Sequence, residues 1–185
     1  YMDGFGTFGT EEGCLNLPWG IDVDEFGDIY VADWGNNRVQ VFTSEGHLKH
    51  SFGELGSGEG QFERPTGVSV DTHGDVYVAD WGNNRVMQFN PEGQYLWSFT
   101  GDATLSKVAR NYMLTNAVPN RLRETGRLEH ERYLRRPRSV RIDSEFRLFI
   151  PDYESYRIQV YQKDFLELDE TQYAAPLRNP TLEVT

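Results

Sequence analysis

The sequence predicts an all-β protein assembled from repeated four-stranded units, and three observations carry that reading. Ten residues, Tyr30 to Val39, recur identically as Tyr77 to Val86, 47 positions later. Apolar residues alternate with polar or outward-facing ones around them, as in Ile21 and Val23, Ile29 and Val31, and Val39 and Val41; that period of two belongs to strands. Glycine and asparagine punctuate the alternation at Phe26-Gly27-Asp28, Gly35-Asn36-Asn37 and Glu45-Gly46, where turns need residues that tolerate positive φ.

The repeat runs beyond the identical decapeptide. Pro18, Asp24, Asp33, Arg38 and Phe42 share their offsets with Pro65, Asp71, Asp80, Arg85 and Phe89. A third copy fits without a gap as Pro137, Asp143, Asp152, Arg157 and Tyr161. It is degenerate: Phe146 replaces Gly27 and Gly74, Ser155 replaces Asn36 and Asn83, and Tyr156 replaces Asn37 and Asn84. It also starts 25 residues late, so an insertion separates units two and three. His47 to Phe52 and Gln94 to Phe99 supply the fourth strands of the first two units. Four short antiparallel strands per period of this length make a propeller blade.

Pro-x-Gly, then Asp, Gly, the run Tyr-Val-Ala-Asp-Trp-Gly-Asn-Asn-Arg-Val, an aromatic residue and Gly stand at Pro18 to Gly46 and again at Pro65 to Gly93. This pattern resembles the NHL repeat. The resemblance implies a β-propeller of six blades, of which this chain holds three recognisable ones, and a family whose members bind proteins, peptides or RNA, with a minority of enzymes. The expected layout is a single, or partial, propeller domain over 1–185. Its blades are placed at 18–53, 65–101 and 137–168, with a basic helical insertion at 102–136 and a closing strand at 176–185.

Three blades leave two apolar faces uncovered, a surface that reads as an interface. A longer ring, a homodimer of two three-bladed halves, or blades from another protein would each cover them. The first ranks highest, because Tyr1 to Phe8 reads as the last strand of a preceding blade, with Phe8-Gly9 matched to Phe52-Gly53.

The net charge is −11. Residues 101–136 hold eight basic and four acidic side chains, so the insertion is near +4 and the remainder near −15. An acidic body repels nucleic acid at long range and disfavours it as a partner across the whole face. Leu105, Val108, Ala109, Tyr112 and Met113 follow helical spacing, and a second helix is expected from Arg123 to Leu134. No apolar run reaches eighteen residues, so no membrane span is expected, and no targeting signal stands at the start. The lone Cys14 matches neither a disulfide nor a metal pattern.

The insertion joins an outer strand to the next inner strand, so it should share a face with the loops carrying Trp34, Trp81 and Tyr153. Trp19, Thr66 and Arg138 should stand nearer the central opening. The candidate binding face is therefore Trp19, Trp34, Trp81, Arg138 and Tyr153, with Arg135 and Arg136 from the insertion; aromatics and Arg are the usual anchors of interfaces. Packing of the Trp side chains against a neighbouring blade's loop is the competing reading. Asp33, Asp80 and Asp152, with Arg38, Arg85 and Arg157, recur in every unit and read as construction.

Catalysis has weaker support. The inner strands that should line the channel contain no histidine, and His47, His50, His73 and His130 do not converge on a metal pattern. Asp22 to Asp28 lacks the oxygen ligand that a calcium loop needs at Phe26. The sequence thus points to a non-catalytic scaffold for a protein or peptide, without metal or cofactor. Two alternatives remain: a propeller lyase or hydrolase with its site in the channel, and a structural subunit of a larger assembly.

Overall fold

A computed structural model describes residues 4–101 and 132–163. Residues 4–17 contribute β1 (Thr7–Phe8) and β2 (Cys14–Leu15), a short parallel pair. The first unit is a four-stranded antiparallel sheet of β3 (Pro18–Val23), β4 (Ile29–Asp33), β5 (Arg38–Phe42) and β6 (Leu48–Phe52), hydrogen-bonded in chain order. A second parallel pair, β7 (Glu54–Leu55) and β8 (Gln61–Phe62), repeats the first. The second sheet follows as β9 (Pro65–Val70), β10 (Val76–Asp80), β11 (Arg85–Phe89) and β12 (Tyr95–Phe99). The third comprises β13 (Arg141–Ile142), β14 (Arg147–Asp152) and β15 (Arg157–Gln162). Its expected fourth strand, the end of the 137–168 blade and the 176–185 strand fall outside the described residues.

The sheets stack face to face. Tyr30, Ala32, Val39 and Val41 of the first sheet meet Val68, Val76, Val78, Met87 and Phe89 of the second. The other face of the second sheet gives Tyr77, Ala79 and Val86 to Val140, Ile142, Leu148 and Ile150 of the third. Each sheet is apolar on both faces because each is meant to be sandwiched, so alternation along β9 and β10 disappears into continuous burial.

Connecting segments seal the junctions. Phe62, fully buried, plugs the first junction, and Leu134 takes the same template position in the second. An aromatic pair recurs between consecutive units: Phe5 on Phe42 at 5.0 Å, Phe52 on Phe89 at 4.9 Å and Phe99 on Tyr161 at 5.2 Å. Gly93 makes room for this pair, because a Cβ there would lie 2.7 Å from the Phe52 ring.

Two expectations need correction. Phe5-Gly6, not Phe8-Gly9, matches Phe52-Gly53. Phe5 makes the inter-unit ring contact, whereas Phe8 is exposed in the β1–β2 ladder, in register with Leu55. The helix expected from Arg123 does not extend to Leu134: residues 132–133 form a turn, and Leu134 is irregular chain whose N–H donates to the Thr100 carbonyl at 2.8 Å. Among the described residues the helical structure is two short 3-10 turns, Trp34–Asn36 and Tyr153–Ser155. The rest of the expected helical insertion lies outside them.

At the equivalent position of all three units the residue is left-handed: Asn37 at φ 55° and Tyr156 at 52° after the 3-10 turns, and Asn84 at 56° in the corresponding turn of the second unit. Asparagine tolerates this region and a bulky aromatic does not. Tyr156 is 96% exposed, so no burial offsets its strain. Replacing Tyr156 with Asn is expected to stabilise the protein by about 1 kcal/mol, read as a higher denaturation midpoint.

Buried Tyr30 donates its hydroxyl to Asp24 at 3.3 Å. Burial first, then the Asp24 carboxylate, pushes its phenol up to about 12. A folded value above the unfolded one gives stability that is whole below the ordinary phenol value and is lost as pH rises towards 12. Denaturation midpoints should therefore fall between about pH 10 and 12, and Tyr30→Phe should flatten that fall.

Candidate functional site

In each unit the residue before the 3-10 turn is a buried Asp that gathers donors. Asp33 accepts the Asn16 N–H at 2.7 Å, the Asn36 amide at 2.8 Å, Arg38 Nε at 3.0 Å and the Gln40 amide at 3.2 Å. Asp80 repeats this with the Glu63 N–H at 2.7 Å, Asn83 at 2.8 Å and Arg85 at 2.9 Å. Asp152 takes the Arg135 N–H and Arg157 Nε, both at 2.7 Å, and Gln159 at 3.1 Å. The Arg then reaches the incoming connector: Arg38 binds the Glu11 and Cys14 carbonyls, Arg85 those of Ser57, Gly58 and Gln61, and Arg157 that of Tyr133. These Asp–Arg hubs tie a turn to the connector entering its own sheet, which leaves the carboxylates no open side for a ligand. Burial raises the Asp80 carboxyl above its ordinary value, against the opposing hydrogen bonds from Asn83, Glu63 and Arg85.

The aromatic side chains of the same turns lie outside the hubs. Trp34 is half-buried under the guanidinium of Arg64, 4.9 Å from the ring centre, and Trp81 lies under Arg136 at 4.7 Å. Each Arg belongs to the following unit, is left-handed (φ 59° and 52°), and donates its N–H to the preceding unit's Asn37 or Asn84. The two Trp side chains therefore contact the neighbouring unit and still border the surface. Trp19 lies 6.4 Å from Trp34. Arg138 stacks on Tyr153 at 3.6 Å. Arg135 and Arg136 both pair with Glu154, at 3.4 Å and 3.2 Å.

The residues predicted for that face thus fall into three groups: Trp19 with Trp34, Trp81 with Arg135, Arg136 and Glu154, and Arg138 with Tyr153. Sequence reasoning missed Arg64 and Glu154. The signal for Arg64 was its offset, one residue before the repeated Pro, shared with Leu17 and Arg136. The inner strands enclose a depression of about 260 Å³ whose rim carries Trp19, Thr66 and Arg138 and whose wall carries Ile21, Val68 and Arg141. Among the described residues, no three His, Cys, Asp or Glu side chains converge as a metal site would need. Asp24 Oδ1 instead accepts the Phe26 and Asp28 N–H groups of its hairpin turn. No described helix is long and apolar enough to cross a membrane.

Two four-stranded antiparallel sheets and a third of three described strands, stacked in chain order and each tied by the same hub, define an all-β protein of the propeller class. The chain carries NHL repeats within that class: the family model for the NHL repeat matches residues 15–42 and 62–89. One such segment is similar to protein wech of Drosophila melanogaster, 51% identical over 45 residues, or 24% of this chain and 5% of the fly protein. Similarity to the E3 ubiquitin-protein ligase TRIM71 of Rattus norvegicus is 52% over 46 residues, covering 25% of this chain and 5% of the ligase. Protein lin-41 of Caenorhabditis elegans is 51% identical over 43 residues, 23% of this chain and 4% of its own length. The matched segment is thus about a twentieth of each relative.

Among solved structures, the nidogen/laminin complex superposes with a TM-score of 0.51 at 16% identity, covering 80% of this chain and 44% of the other. A structural genomics protein from Bacteroides thetaiotaomicron gives 0.53 at 16% identity, covering 80% and 36%. These likenesses concern the fold.

Proposed function

We propose that this chain is part of a six-bladed NHL propeller that binds a protein or peptide on the face bearing the 3-10 turns. Trp19, Trp34, Trp81 and Tyr153 with Arg135, Arg136 and Arg138 form the docking surface. One observation carries the reading: on that face the repeated Asp–Arg hubs are consumed by the fold, while the aromatic and Arg side chains beside them stay at the surface. Aromatic and Arg side chains dominate binding energy at interfaces. The repeats shared with a segment of an E3 ubiquitin-protein ligase support a role in partner recognition. The blades missing from a closed ring would come from a longer chain, a second copy or another subunit.

The test uses Arg135→Gln with Arg136→Gln, which keeps the fold's aromatic contacts at Trp34 and Tyr153. Quantitative affinity capture should lose partners about tenfold relative to Glu25→Gln with Glu45→Gln at the opposite hairpins. Tenfold corresponds to about 1.4 kcal/mol. An identical partner set for both variants would remove the face assignment.

A further inference from the structure

Two template positions on the inner strands carry different chemistry in each unit. The first holds Asp22, Ser69 and Arg141, and these close on one another. Asp22 accepts the Ser69 hydroxyl at 2.9 Å, the Val70 N–H at 3.0 Å and Arg141 at 2.8 Å, while Ser69 accepts the Ile142 N–H at 3.2 Å.

The second position, one residue after each repeated Pro, holds Trp19, Thr66 and Arg138. Only Thr66 is used by the fold: it is buried, and its hydroxyl donates to the Pro137 carbonyl at 3.1 Å. Trp19 remains 62% exposed. Arg138 is exposed on the Tyr153 ring, and among the described residues no carboxylate pairs with it. Stacking fixes the guanidinium plane and leaves its edge donors open, and a planar fork of this kind matches a carboxylate bidentately. Trp19 offers an apolar plate on the same rim.

We infer that this mouth takes an acidic side chain of a partner peptide, with Arg138 as its ion-pair anchor and Trp19 supporting an apolar neighbour. The inference rests on the protein-binding reading above and names the partner's chemistry. Charge favours a peptide over a nucleic acid. The chain outside the insertion is near −15, which repels a polyanion at long range. One carboxylate meeting one stacked guanidinium gains at contact. Nearby, Arg135 and Arg136 already share Glu154, so the pairing preferred on this face is present within the molecule.

The probes are three labelled oligomers: a short neutral Leu- and Ser-containing peptide with a single Glu, its counterpart with Gln in place of that Glu, and an oligouridylate of similar length. Each is titrated by fluorescence anisotropy against the full chain, Arg138→Gln, Arg138→Lys and Trp19→Ala, with thermal melts to verify folding. The Glu peptide should bind about tenfold more tightly than the Gln peptide. Arg138→Gln should erase that preference, Arg138→Lys should keep part of it, and Trp19→Ala should weaken both peptides alike. Equal binding of the two peptides, no binding of the Glu peptide, a preference surviving in Arg138→Gln, or tighter binding of the oligouridylate would each overturn the inference. If the preference survives while Arg135→Gln with Arg136→Gln still loses its partners, the anchor fails and the face stands. If neither variant changes binding, both fail.

Discussion

Asp80→Ala is expected to destabilise the protein by about 3–5 kcal/mol, the scale for stranding one side of a buried charged pair. Asp80 is fully buried and serves Glu63, Asn83 and Arg85. Its carboxyl is raised above the ordinary value, so burial outweighs the attraction that its donors supply. The loss in the variant therefore comes chiefly from donors left without an acceptor in a dry site. Arg85 keeps its three connector carbonyls, which should hold the damage to one unit. Chemical denaturation of Asp80→Ala beside wild type measures the change, and a loss below about 1 kcal/mol would mean that the hub is dispensable.

Gly67→Ala is the second large effect, expected to cost about 3 kcal/mol at the upper range for overpacking. A Cβ at Gly67 would lie 2.8 Å from Ser139 Cα and 3.0 Å from Val140 N. Both contacts are backbone, which cannot swing aside, so the second and third sheets must separate. The same approach recurs one unit earlier, where a Cβ at Gly20 would meet Gly67 Cα at 2.7 Å. Thermal melts would register the change, and an unaltered midpoint would show that the inner strands can shift without loss.

Much of this architecture was legible in the residues. The Pro opposite the Asp in each unit, Pro18 with Asp33, Pro65 with Asp80 and Pro137 with Asp152, is the register that the common offsets implied. What escaped was whatever depends on contacts between units. Phe5 and Phe8 both precede a glycine, and only the ring contact with Phe42 distinguishes them. Leu134 fits a helical period, yet its place is that of Phe62, sealing a junction. Arg64 carries no local signal beyond its offset, because its role arises from a Trp in the preceding unit. The repeat offsets named the candidate residues, whereas their contacts, which sort them into three groups, depend on Glu154 and on which unit supplies each Arg.

The contact between Thr100 and Leu134 has a consequence for how such a chain can change. A Cβ at Gly101 would collide with Leu134 N, so the chain flanking residues 102–131 is clasped where it leaves one sheet and enters the next. Closing a loop at a pinned neck costs entropy that grows only logarithmically with its length. Chain of almost any length can therefore be spliced in at that neck while the stacked sheets stay as they are. The neck is a graft point, where this lineage of repeats can acquire or exchange an accessory module without renegotiating its core.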